Sequence, residues 1–336
     1  MKIGIFGDHN DSQCKALSGA LHNRGVQSII VDCSAIHQGS DFSYSSGGFF
    51  AQGQSLNDVK GWFLRYIISP LPPVFKSSEE YVLFKDWFNE YMHRQERYAF
   101  QLAMLLSWEA SGIPVINPPE HGSVLQIKTF QLEMARQAGL NIPQSLVTNN
   151  PGRVVEFLQQ VKDVVYKPSM GGALCRQLDL DALNQLALIK EAPVIFQEHI
   201  HGVSVRVTIV GEKVVSCVRI PSNTLDYRED PGYKEGLQTY IPENCPEDVL
   251  KKSIQLMRNC GLLFSGIDFI LQEDGRWVFL EANSSPIYLE IENKTGVSIT
   301  NELADLLIYL ANDPQYYRKV IAQSARTESF VKYAFG

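Results

Sequence analysis

Residues 266–283 read GIDFILQEDGRWVFLEAN, which is two apolar runs separated by an Asp-Gly pair at 274–275. Asp-Gly is the preferred dipeptide of a two-residue type I′ turn between antiparallel strands. The flanking runs are rich in Ile, Phe, Val and Trp, the residues that favour strands. We therefore predict a β-hairpin, and this hairpin decides how the rest of the chain is interpreted.

The register of the predicted hairpin brings acidic side chains together. A two-residue turn pairs Glu273 with Arg276, and counting outward places Asp268 directly opposite Glu281. Directly opposed residues of antiparallel strands have Cβ atoms about 4.5–5.5 Å apart. Asn283 lies two residues beyond Glu281 and so points to the same face. Two carboxylates and an amide oxygen converge within an otherwise apolar stretch.

Two opposed carboxylates in apolar surroundings repel each other and are poorly solvated, so a positive group should lie between them. Three hard oxygen ligands, with no His or Cys nearby, favour Mg²⁺, whose shell water and phosphate would complete. Three alternatives remain open from the pattern: the register is off by one residue, one carboxyl is protonated, or one is paired with an arginine.

Several basic side chains are candidates for binding phosphate. Lys167 ends an apolar strand and leads into a loop, Ser169–Gly172, whose backbone N–H groups can cradle phosphate oxygens. We predict Lys128 in the middle of a helix over residues 123–137, where a solvated face is the competing interpretation. Arg206 and Arg219 interrupt apolar strands, which indicates a bound anion or, alternatively, a structural carboxylate partner.

His199 and His201 lie two residues apart and are possible metal ligands. With no third soft ligand at a useful spacing, the sequence favours two histidines at the end of a strand. The chain has no GxxxxGK[ST] loop and no GxGxxG after its first strand, so the two commonest nucleotide-binding fingerprints are missing.

The remainder of the chain predicts an α/β protein. A strand, helix and strand over residues 2–6, 12–24 and 27–31 indicate a small parallel sheet at the N-terminus. A long helix is expected over residues 79–110, and a second hairpin over residues 204–220. Pro118-Pro119 marks the first boundary, and we divide the chain into residues 1–117, 118–192 and 193–336.

Composition excludes several classes of protein. The formal net charge of −7 argues against coating nucleic acid through a basic surface. The six cysteines are scattered without a CxxC pair, as expected for reduced thiols in the cytoplasm. The N-terminus does not read as a signal peptide, and no run of about 18 apolar residues predicts a membrane span.

The order of these features resembles the ATP-grasp superfamily from about residue 117 to 310. The features are a lysine on a helix, a strand ending in Lys-Pro before a glycine loop, Phe-Gln-Glu-His-Ile at 196–200, and the Asp…Glu-x-Asn set. Residues 266–299 resemble the RimK-type peptide and glutamate ligases. Residues 61–65, 127–158 and 225–228 are more similar to the macrocyclases of graspetide (microviridin-type) biosynthesis.

The resemblance implies an ATP-grasp fold of α/β (α+β) class, with a pre-ATP-grasp domain over residues 1–117, a central subdomain and a C-terminal subdomain that carries the metal. It implies that ATP is bound by Lys128, Lys167, Ser169, Gly171, Gly172, Gln197, Glu198, Ile200 and Ser204. Ser204 stands where many RimK-type enzymes have an acidic residue for the ribose. It implies that Mg²⁺, or Mn²⁺ in its place, is bound by Asp268, Glu281 and Asn283, and that Arg206, Arg219 and Arg228 face the γ-phosphate, the acyl phosphate or the substrate carboxylate.

The implied activity is ATP-dependent joining of a carboxylate to an amine or hydroxyl through an acyl phosphate, with release of ADP. Two kinds of substrate stay open: a ribosomally made peptide that is modified, or a protein tail or small molecule to which amino acids are joined. The alternatives are a nucleotide-binding regulatory protein without turnover and a small-molecule kinase. No nucleic acid or membrane partner is expected. The donor, the acceptor and a homodimer stay open.

Overall fold

The computed structural model describes residues 1–32, 40–46, 48–66, 84–124, 126–170 and 174–322. The described chain divides into two compact units. The first contains residues 1–119 together with 300–321, and the second contains residues 120–299. The predicted three-part division of the chain stays a prediction. Within the described residues, no helix is both long and apolar enough to span a membrane.

The first unit begins with a parallel sheet. Its elements are β1 (Lys2–Gly7), α1 (Ser12–His22), β2 (Gln27–Asp32), β3 (Phe42–Ser45), β4 (Gly48–Ala51), β5 (Gln54–Ser55), β6 (Val59–Leu64), α2 (Phe84–Ala110) and β7 (Val115–Ile116). The strand order is β2-β1-β6-β7, and every neighbouring pair is parallel. The parallel sheet predicted from the first strand, helix and strand is therefore confirmed. Residues 79–83 of the predicted long helix lie outside the described residues.

The second unit contains two antiparallel sheets. Its elements are α3 (Pro119–Val124), α4 (Lys128–Gln137), β8 (Ser145–Thr148), α5 (Pro151–Val161), β9 (Val164–Lys167), β10 (Arg176–Gln177), α6 (Leu180–Asn184), β11 (Val194–Glu198), β12 (Val203–Val210), β13 (Lys213–Ile220), α7 (Pro231–Lys234), β14 (Ile241–Pro242), α8 (Glu247–Cys260), β15 (Phe264–Leu271), β16 (Trp277–Asn283) and α9 (Leu289–Thr295). The four-stranded sheet has the order β10-β9-β11-β8, and the five-stranded sheet has the order β14-β13-β12-β15-β16.

Two further helices follow in the described part of the chain: α10 (Ile299–Asn312) and α11 (Pro314–Ala322). Most of their residues belong to the first unit. Arg24, just after α1, donates hydrogen bonds to both carboxylate oxygens of Asp305 on α10, at 2.5 and 2.9 Å. Tyr317 is buried and donates its hydroxyl to the carbonyl of Val115 at 3.4 Å.

Each sheet of the second unit buries one face in an apolar core. The four-stranded sheet packs Phe196 and Val164 against Val154 and Phe157 of α5. Residues on opposite faces alternate along a strand, so Lys167 and Gln197 lie on the face turned away from that core. The five-stranded sheet likewise packs one face against α4 and α8, through Val205, Val207, Ile267, Phe269, Phe279, Leu132 and Leu256.

The turn of the hairpin between β15 and β16 has three residues, so the predicted two-residue turn is wrong. Gln272 donates its N–H to the carbonyl of Arg276 at 2.9 Å, and Gly275 donates its N–H to the carbonyl of Gln272 at 3.0 Å. Gly275 has φ +84°, in the left-handed region. A type I turn closed by a left-handed residue is the common three-residue hairpin loop. Glu273 is therefore not paired with Arg276.

A β-bulge restores the pairing that matters for function. Beyond the turn, Phe269 pairs with Phe279, but the next pair is Asp268 with Glu281, so Leu280 is an extra residue on β16. The bulge compensates for the additional turn residue. Asp268 therefore lies opposite Glu281 as predicted. The pair results from two irregular features, the three-residue turn and the bulge at Leu280, and not from the regular two-residue hairpin that was predicted.

Lys128 lies at a helix N-terminus and not in the middle of a helix. The predicted single helix over residues 123–137 divides into α3, which ends at Val124, and α4, which begins at Lys128. Ile127 occupies the N-cap of α4 with φ −87°, ψ 97° and no side-chain cap. A position within one continuous helix would have allowed Lys128 to lie on a solvent-exposed face. At the start of α4, its side chain is instead only 12% exposed.

Candidate active site

The face of the five-stranded sheet opposite the apolar core carries an ion pair between neighbouring strands. Arg206 on β12 is directly opposite Asp268 on β15. The guanidinium donates to both carboxylate oxygens, from Nε to Oδ1 and from Nη2 to Oδ2, at 2.8 Å each. The two side chains are 10% and 13% exposed. One alternative raised by the sequence, a carboxylate paired with an arginine, therefore holds for Asp268.

Arg206 has further polar partners in the segments after β13 and β16. Its Nη2 donates to the hydroxyl of Tyr227 at 2.9 Å, and its Nη1 donates to the carbonyl of Ile287 at 3.3 Å. Sequence reasoning did not assign Tyr227 a part in the site, although it lies in the 225–228 stretch that was singled out. A buried guanidinium needs this many acceptors because each unpaired donor away from water costs free energy.

Glu281, the residue opposite Asp268, pairs with a lysine from another element. The Nζ of Lys128 lies 3.3 Å from Oε2 of Glu281. The backbone N–H of Lys128 donates to the carbonyl of Ser169 at 2.9 Å, which ties the start of α4 to the loop after β9. The first residue of α4, the loop after β9 and the hairpin therefore meet at Glu281.

Lys167, at the end of β9, faces the same carboxylate. Burial lowers the pKa of the Lys167 ammonium below its ordinary value, while the negative charge of Glu281 acts in the opposite direction. The positive charge of Lys128 lowers the pKa further. Two lysines from different elements thus converge near one carboxylate, an excess of positive charge that a bound anion would neutralise.

The two opposed carboxyl groups have pKa values shifted in opposite directions. Burial raises the pKa of Asp268, against the opposing effect of Arg206. Burial also acts to raise the pKa of Glu281, but Lys128 and Lys167 outweigh it, so the pKa of Glu281 is lowered. Pairs of acids whose environments separate their pKa values are typical of functional sites.

Arg228 approaches the same region from a short 3₁₀ turn, Tyr227–Glu229. It donates to both oxygens of Asp226, from Nε at 2.8 Å and from Nη2 at 2.5 Å. That hydrogen bond with Asp226 raises the pKa of Arg228, and the charge of Glu281 adds to the effect. Asp226 also accepts the backbone N–H of Cys175 at 3.4 Å, so it links the 225–228 stretch to the loop before β10.

Asn283 and Gly266 form the end of the charged face. Asn283 is exposed, and its Oδ1 accepts the backbone N–H of Ser285 at 3.0 Å. Gly266, directly opposite Asn283, leaves room for its neighbours, because an added Cβ would lie 2.9 Å from Cβ of Pro286 and 3.5 Å from Cδ of Arg206. The small residue at this position therefore makes space for Pro286.

The residues predicted to line an adenine site lie along β11 and the start of β12. Gln197 is buried and donates its Nε2 to the hydroxyl of Ser145 at 2.9 Å. Oε2 of Glu198 accepts the N–H of Gln144 at 3.3 Å. Ile200 follows the end of β11 and is partly buried. Ser204 lies two residues before Arg206 on β12 and so shares its face.

The structure does not bring every predicted residue to this face. Arg219 pairs with Val205, the neighbour of Arg206, and therefore points to the opposite face of the sheet, where its Nε donates to Glu243. The interpretation of Arg219 as a residue facing a bound phosphate is not consistent with this register. Gly171 and Gly172 lie outside the described residues.

The assembled site contains four cationic and three anionic side chains, namely Lys128, Lys167, Arg206, Arg228, Asp226, Asp268 and Glu281. Its oxygen donors at Asp268, Glu281 and Asn283 are the hard ligands that suit Mg²⁺. The surplus of positive charge beside them suits a polyanion. Such an arrangement can hold a nucleotide and its metal, and can stabilise charge that develops during phosphoryl transfer.

Comparisons with known proteins agree with this chemistry. A family model described as the RimK-like ATP-grasp domain matches residues 126–307. A probable alpha-L-glutamate ligase of Pasteurella multocida is 25% identical over an alignment of 211 residues, with 60% of this chain and 66% of the relative covered. The tetrahydromethanopterin:alpha-L-glutamate ligase of Methanocaldococcus jannaschii is 25% identical over an alignment of 213 residues, with 58% of this chain and 70% of the relative covered. The chain spans about two thirds of the length of these curated relatives.

Solved structures match nearly the whole chain. The ATP-grasp ligase PsnB complexed with a minimal precursor is 28% identical and covers 91% of this chain and 98% of its own, with a TM-score of 0.78. PsnB with a phosphomimetic variant of that precursor, Mg and ADP has a TM-score of 0.80 over 92% of this chain and 98% of its own, at 28% identity. The macrocyclase MdnC from Microcystis aeruginosa MRC, bound with precursor peptide MdnA, is 24% identical and shares the fold, with a TM-score of 0.76 over 92% of this chain and 99% of its own.

Proposed function

The chain belongs to the RimK-like ATP-grasp family of ligases, and from this premise we propose that it activates carboxylates of a peptide as acyl phosphates and joins them to an amine or hydroxyl of that peptide. Family membership supports ATP-dependent ligation over the regulatory protein and the small-molecule kinase that the sequence left open. The single observation that carries the proposal is the buried cluster of Lys128, Lys167 and Glu281 beside the Arg206–Asp268 pair.

The positive groups of this cluster are proposed to hold the phosphates of ATP. Lys128 and Lys167 approach Glu281 from different elements and carry more charge than Glu281 alone neutralises. A nucleotide would add the missing negative charge and restore the pKa of Lys167 towards its ordinary value, since an adjacent anion favours the ammonium form. Ser169, Gly171 and Gly172 are proposed to cover the phosphates.

The adenine and ribose are proposed to lie along β11 and the start of β12. Gln197 and Lys167 share one face of the four-stranded sheet, so an adenine near Gln197 places its phosphates towards Lys167. Glu198 and Ile200 would contact the base. Ser204, a shorter and neutral substitute for an acidic ribose ligand, would make a weaker contact with the ribose hydroxyls.

Asp268, Glu281 and Asn283 are proposed to bind Mg²⁺, with Mn²⁺ as a substitute. Their oxygens fit this ion because they are hard ligands on one face of one hairpin, and because Asn283 is exposed. When bound, Mg²⁺ would neutralise charge on the phosphates of ATP. Arg206 would hold the Asp268 carboxylate ionised and fixed, so that the ligand is oriented in advance.

In the proposed reaction, a substrate carboxylate attacks the γ-phosphorus of ATP, the bond to the bridging oxygen breaks, and ADP leaves. An amine or hydroxyl then attacks the acyl carbon, loses its proton and expels inorganic phosphate, which leaves an amide or ester. Lys128 and Lys167 would stabilise charge on the transferring phosphoryl group, and Arg228 would orient the acyl phosphate or the carboxylate. We propose no protein group for the acceptor's proton.

The extent of the structural match favours a peptide as substrate. The curated glutamate ligases match about 60% of the chain, and the family model begins at residue 126. PsnB, described as complexed with a precursor, matches 91% of the chain and so includes its N-terminal unit. We propose that this unit serves peptide recognition, that a homodimer is compatible with the function, and that the enzyme acts in the cytoplasm, where ATP is supplied and thiols stay reduced.

A mass-spectrometric assay tests this function. The purified chain is incubated with ATP, Mg²⁺ and a peptide that carries acidic side chains together with Lys, Ser or Thr residues, and ADP, phosphate and intact peptide mass are followed together. One water should be lost from the peptide for each ADP and phosphate formed. Glu281→Gln and Lys167→Ala should each reduce product formation by about 10²–10³-fold. Lys167→Ala removes a positive charge proposed to stabilise the phosphoryl group, and Glu281→Gln removes a carboxylate proposed to bind Mg²⁺.

Two exposed residues provide matched controls. Glu273 lies in the hairpin turn and Lys190 lies after α6, and both are exposed. The variants Glu273→Gln and Lys190→Ala should form product at the rate of the unchanged enzyme. Normal product formation by both Glu281→Gln and Lys167→Ala would contradict the proposed site.

The second candidate function is suggested by the curated relatives. Addition of free glutamate to an acceptor, with a gain of one glutamyl residue in mass, would identify the chain as a glutamate ligase instead.

A further inference from the structure

Three side chains that could ligate a metal meet at one edge of the four-stranded sheet. Asp163 immediately precedes β9, and His199 immediately follows β11. Nδ1 of His199 lies 3.0 Å from Oδ2 of Asp163, and Nε2 of His201 lies 2.8 Å from the same oxygen. The potential ligand atoms all lie within 4.8 Å of one another, and in the described part of the chain this is the one such group of three His, Cys, Asp or Glu residues.

The local backbone builds this cluster. Lys162 ends α5 with φ +70°, in the left-handed region that non-glycine residues rarely adopt, and so turns Asp163 towards β11. The carbonyl of Asp163 accepts the N–H of His199 at 3.0 Å, which fixes the backbones of the two residues together. Gln177 donates its Nε2 to Oδ1 of Asp163, so the carboxylate is oriented from its other side.

We propose that Asp163, His199 and His201 form a binding site for a divalent transition metal ion of the Zn²⁺ class. Two imidazole nitrogens and one carboxylate oxygen are ligands that Zn²⁺ accepts and that Mg²⁺ does not prefer. Ligand bonds of about 2.05 Å at a tetrahedral angle separate ligand atoms by about 3.3 Å. The two nitrogen–oxygen distances of 3.0 and 2.8 Å need only a small expansion to reach this value.

The cluster is not the site proposed for the nucleotide's metal. It lies at the edge where β9 begins and β11 ends, whereas Lys167, at the opposite end of β9, faces Glu281. His199 and His201 alternate with Glu198 and Ile200, which we propose contact the base. A metal ion bound by the two histidines would fix the backbone of residues 198–201. Binding of the metal would therefore affect the shape of the proposed adenine site.

The site has room for an ion to enter and for a solvent ligand. The side chain of His201 is 73% exposed and that of Asp163 is 40% exposed. Gln177 acts as an outer partner that orients the carboxylate, an arrangement that supports metal ligands in known sites. In the absence of metal, the two histidines would each donate a ring N–H to the same carboxylate oxygen, so an ion that takes these nitrogens as ligands has to displace the protons they carry.

Zinc binding to the full chain tests the inference without any nucleotide or peptide. Tag-free protein is titrated with Zn²⁺ in competition with a chromophoric zinc chelator. One ion should bind per chain, and Mg²⁺ should not displace it. His201→Gln and Asp163→Asn should each weaken Zn²⁺ binding by at least about tenfold, because loss of outer partners already costs about 10–100-fold. Both residues are partly or largely exposed, so neither change threatens the core.

His22→Gln is the matched control, since His22 is an exposed histidine at the end of α1 outside the cluster. This variant should bind Zn²⁺ as the unchanged chain does. The inference is overturned when the unchanged chain binds no zinc ion, or when His201→Gln and Asp163→Asn both bind it with unchanged affinity. Because no ATP is present, this result is independent of the ligase assay.

Discussion

On β12, the adjacent residues Val205 and Arg206 lie on opposite faces of the five-stranded sheet and in opposite environments. Val205 packs with Phe269 and Phe279 in an apolar core against α4 and α8. Arg206 is almost as deeply buried, but it is enclosed by Asp268 and the hydroxyl of Tyr227. The same strands thus stabilise the fold with one face and supply charges with the other. Substitutions one residue apart should therefore differ in what they damage.

The largest effect is expected on the apolar face. Phe279→Ala should lower the free energy of unfolding by about 3–5 kcal/mol, because it leaves a cavity beside Phe269, whose ring centroid lies 6.1 Å away. Urea unfolding measures this loss. Phe279→Leu, which retains most of the apolar volume, should cost about 1 kcal/mol. A loss that is no larger for alanine than for leucine would contradict the close packing of this face.

A comparison of two arginines separates the faces next. Arg206→Met should cost about 3 kcal/mol, because it leaves the buried carboxylate of Asp268 without its partner. The double variant Arg206→Met with Asp268→Leu should recover most of this stability in urea unfolding, since no uncompensated charge remains.

Arg219→Met is the matched control for that experiment. Arg219 is 44% exposed and pairs with Glu243, so its removal should change the free energy of unfolding by at most about 1 kcal/mol. Equal losses for Arg206→Met and Arg219→Met would show that the two faces do not differ in the way the structure indicates.

A smaller loss of stability is expected when a side chain is added at Gly266, at the end of the charged face. Gly266→Ala should destabilise the fold by about 1–3 kcal/mol, because the new Cβ would lie 2.9 Å from Cβ of Pro286 and force it to move. Urea unfolding measures this loss. Unchanged stability would mean that this space is not required.

The smallest effect is a pH dependence within the charged face. The pKa of Glu281 is lowered in the folded state, so its contribution to stability is present above about pH 4.3 and is lost as the pH falls through the lowered value. The pKa of Asp268 is raised, so the folded state takes up that proton first, and stability rises as the pH falls through the raised value towards about 3.9.

Glu281→Gln and Asp268→Asn should therefore change the pH dependence of stability in opposite senses. Urea unfolding measured between about pH 3 and pH 7 provides the comparison. The stability difference between the unchanged chain and Glu281→Gln should shrink on acidification, and the corresponding difference for Asp268→Asn should move the other way. Shifts of the same sign for both variants would contradict the opposite environments of the two carboxyl groups.

Much of the fold was predictable because the spacing of apolar residues along the sequence indicates which side of a helix or strand is buried. The parallel N-terminal strands and the hairpin of β12 and β13 follow from apolar runs and turn residues, and the structure confirms them. The pairing of Asp268 with Glu281 is also confirmed, but the predicted turn is wrong. The extra turn residue and the bulge at Leu280 cancel, and neither has a signature strong enough to be recognised in a single sequence.

The partners of the charged groups were less predictable because they come from distant parts of the chain. The sequence favoured a solvated Lys128, whereas the break before α4 directs it to Glu281. It predicted the same role, contact with a bound anion, for Arg206 and Arg219. In the structure, the strand register places these two arginines on opposite faces of the sheet. It set aside His199 and His201 for want of a third ligand, which Asp163 supplies from the start of another strand.

The amino-acid sequence by itself determined the class of fold, the hairpin that carries the acids and the family to which the chain belongs, because local propensity and residue order are properties of short segments. Only the tertiary structure decided which charges meet. A buried charge is tolerated only beside a compensating group, and that group is selected by strand register and helix ends that bring together residues far apart in the chain.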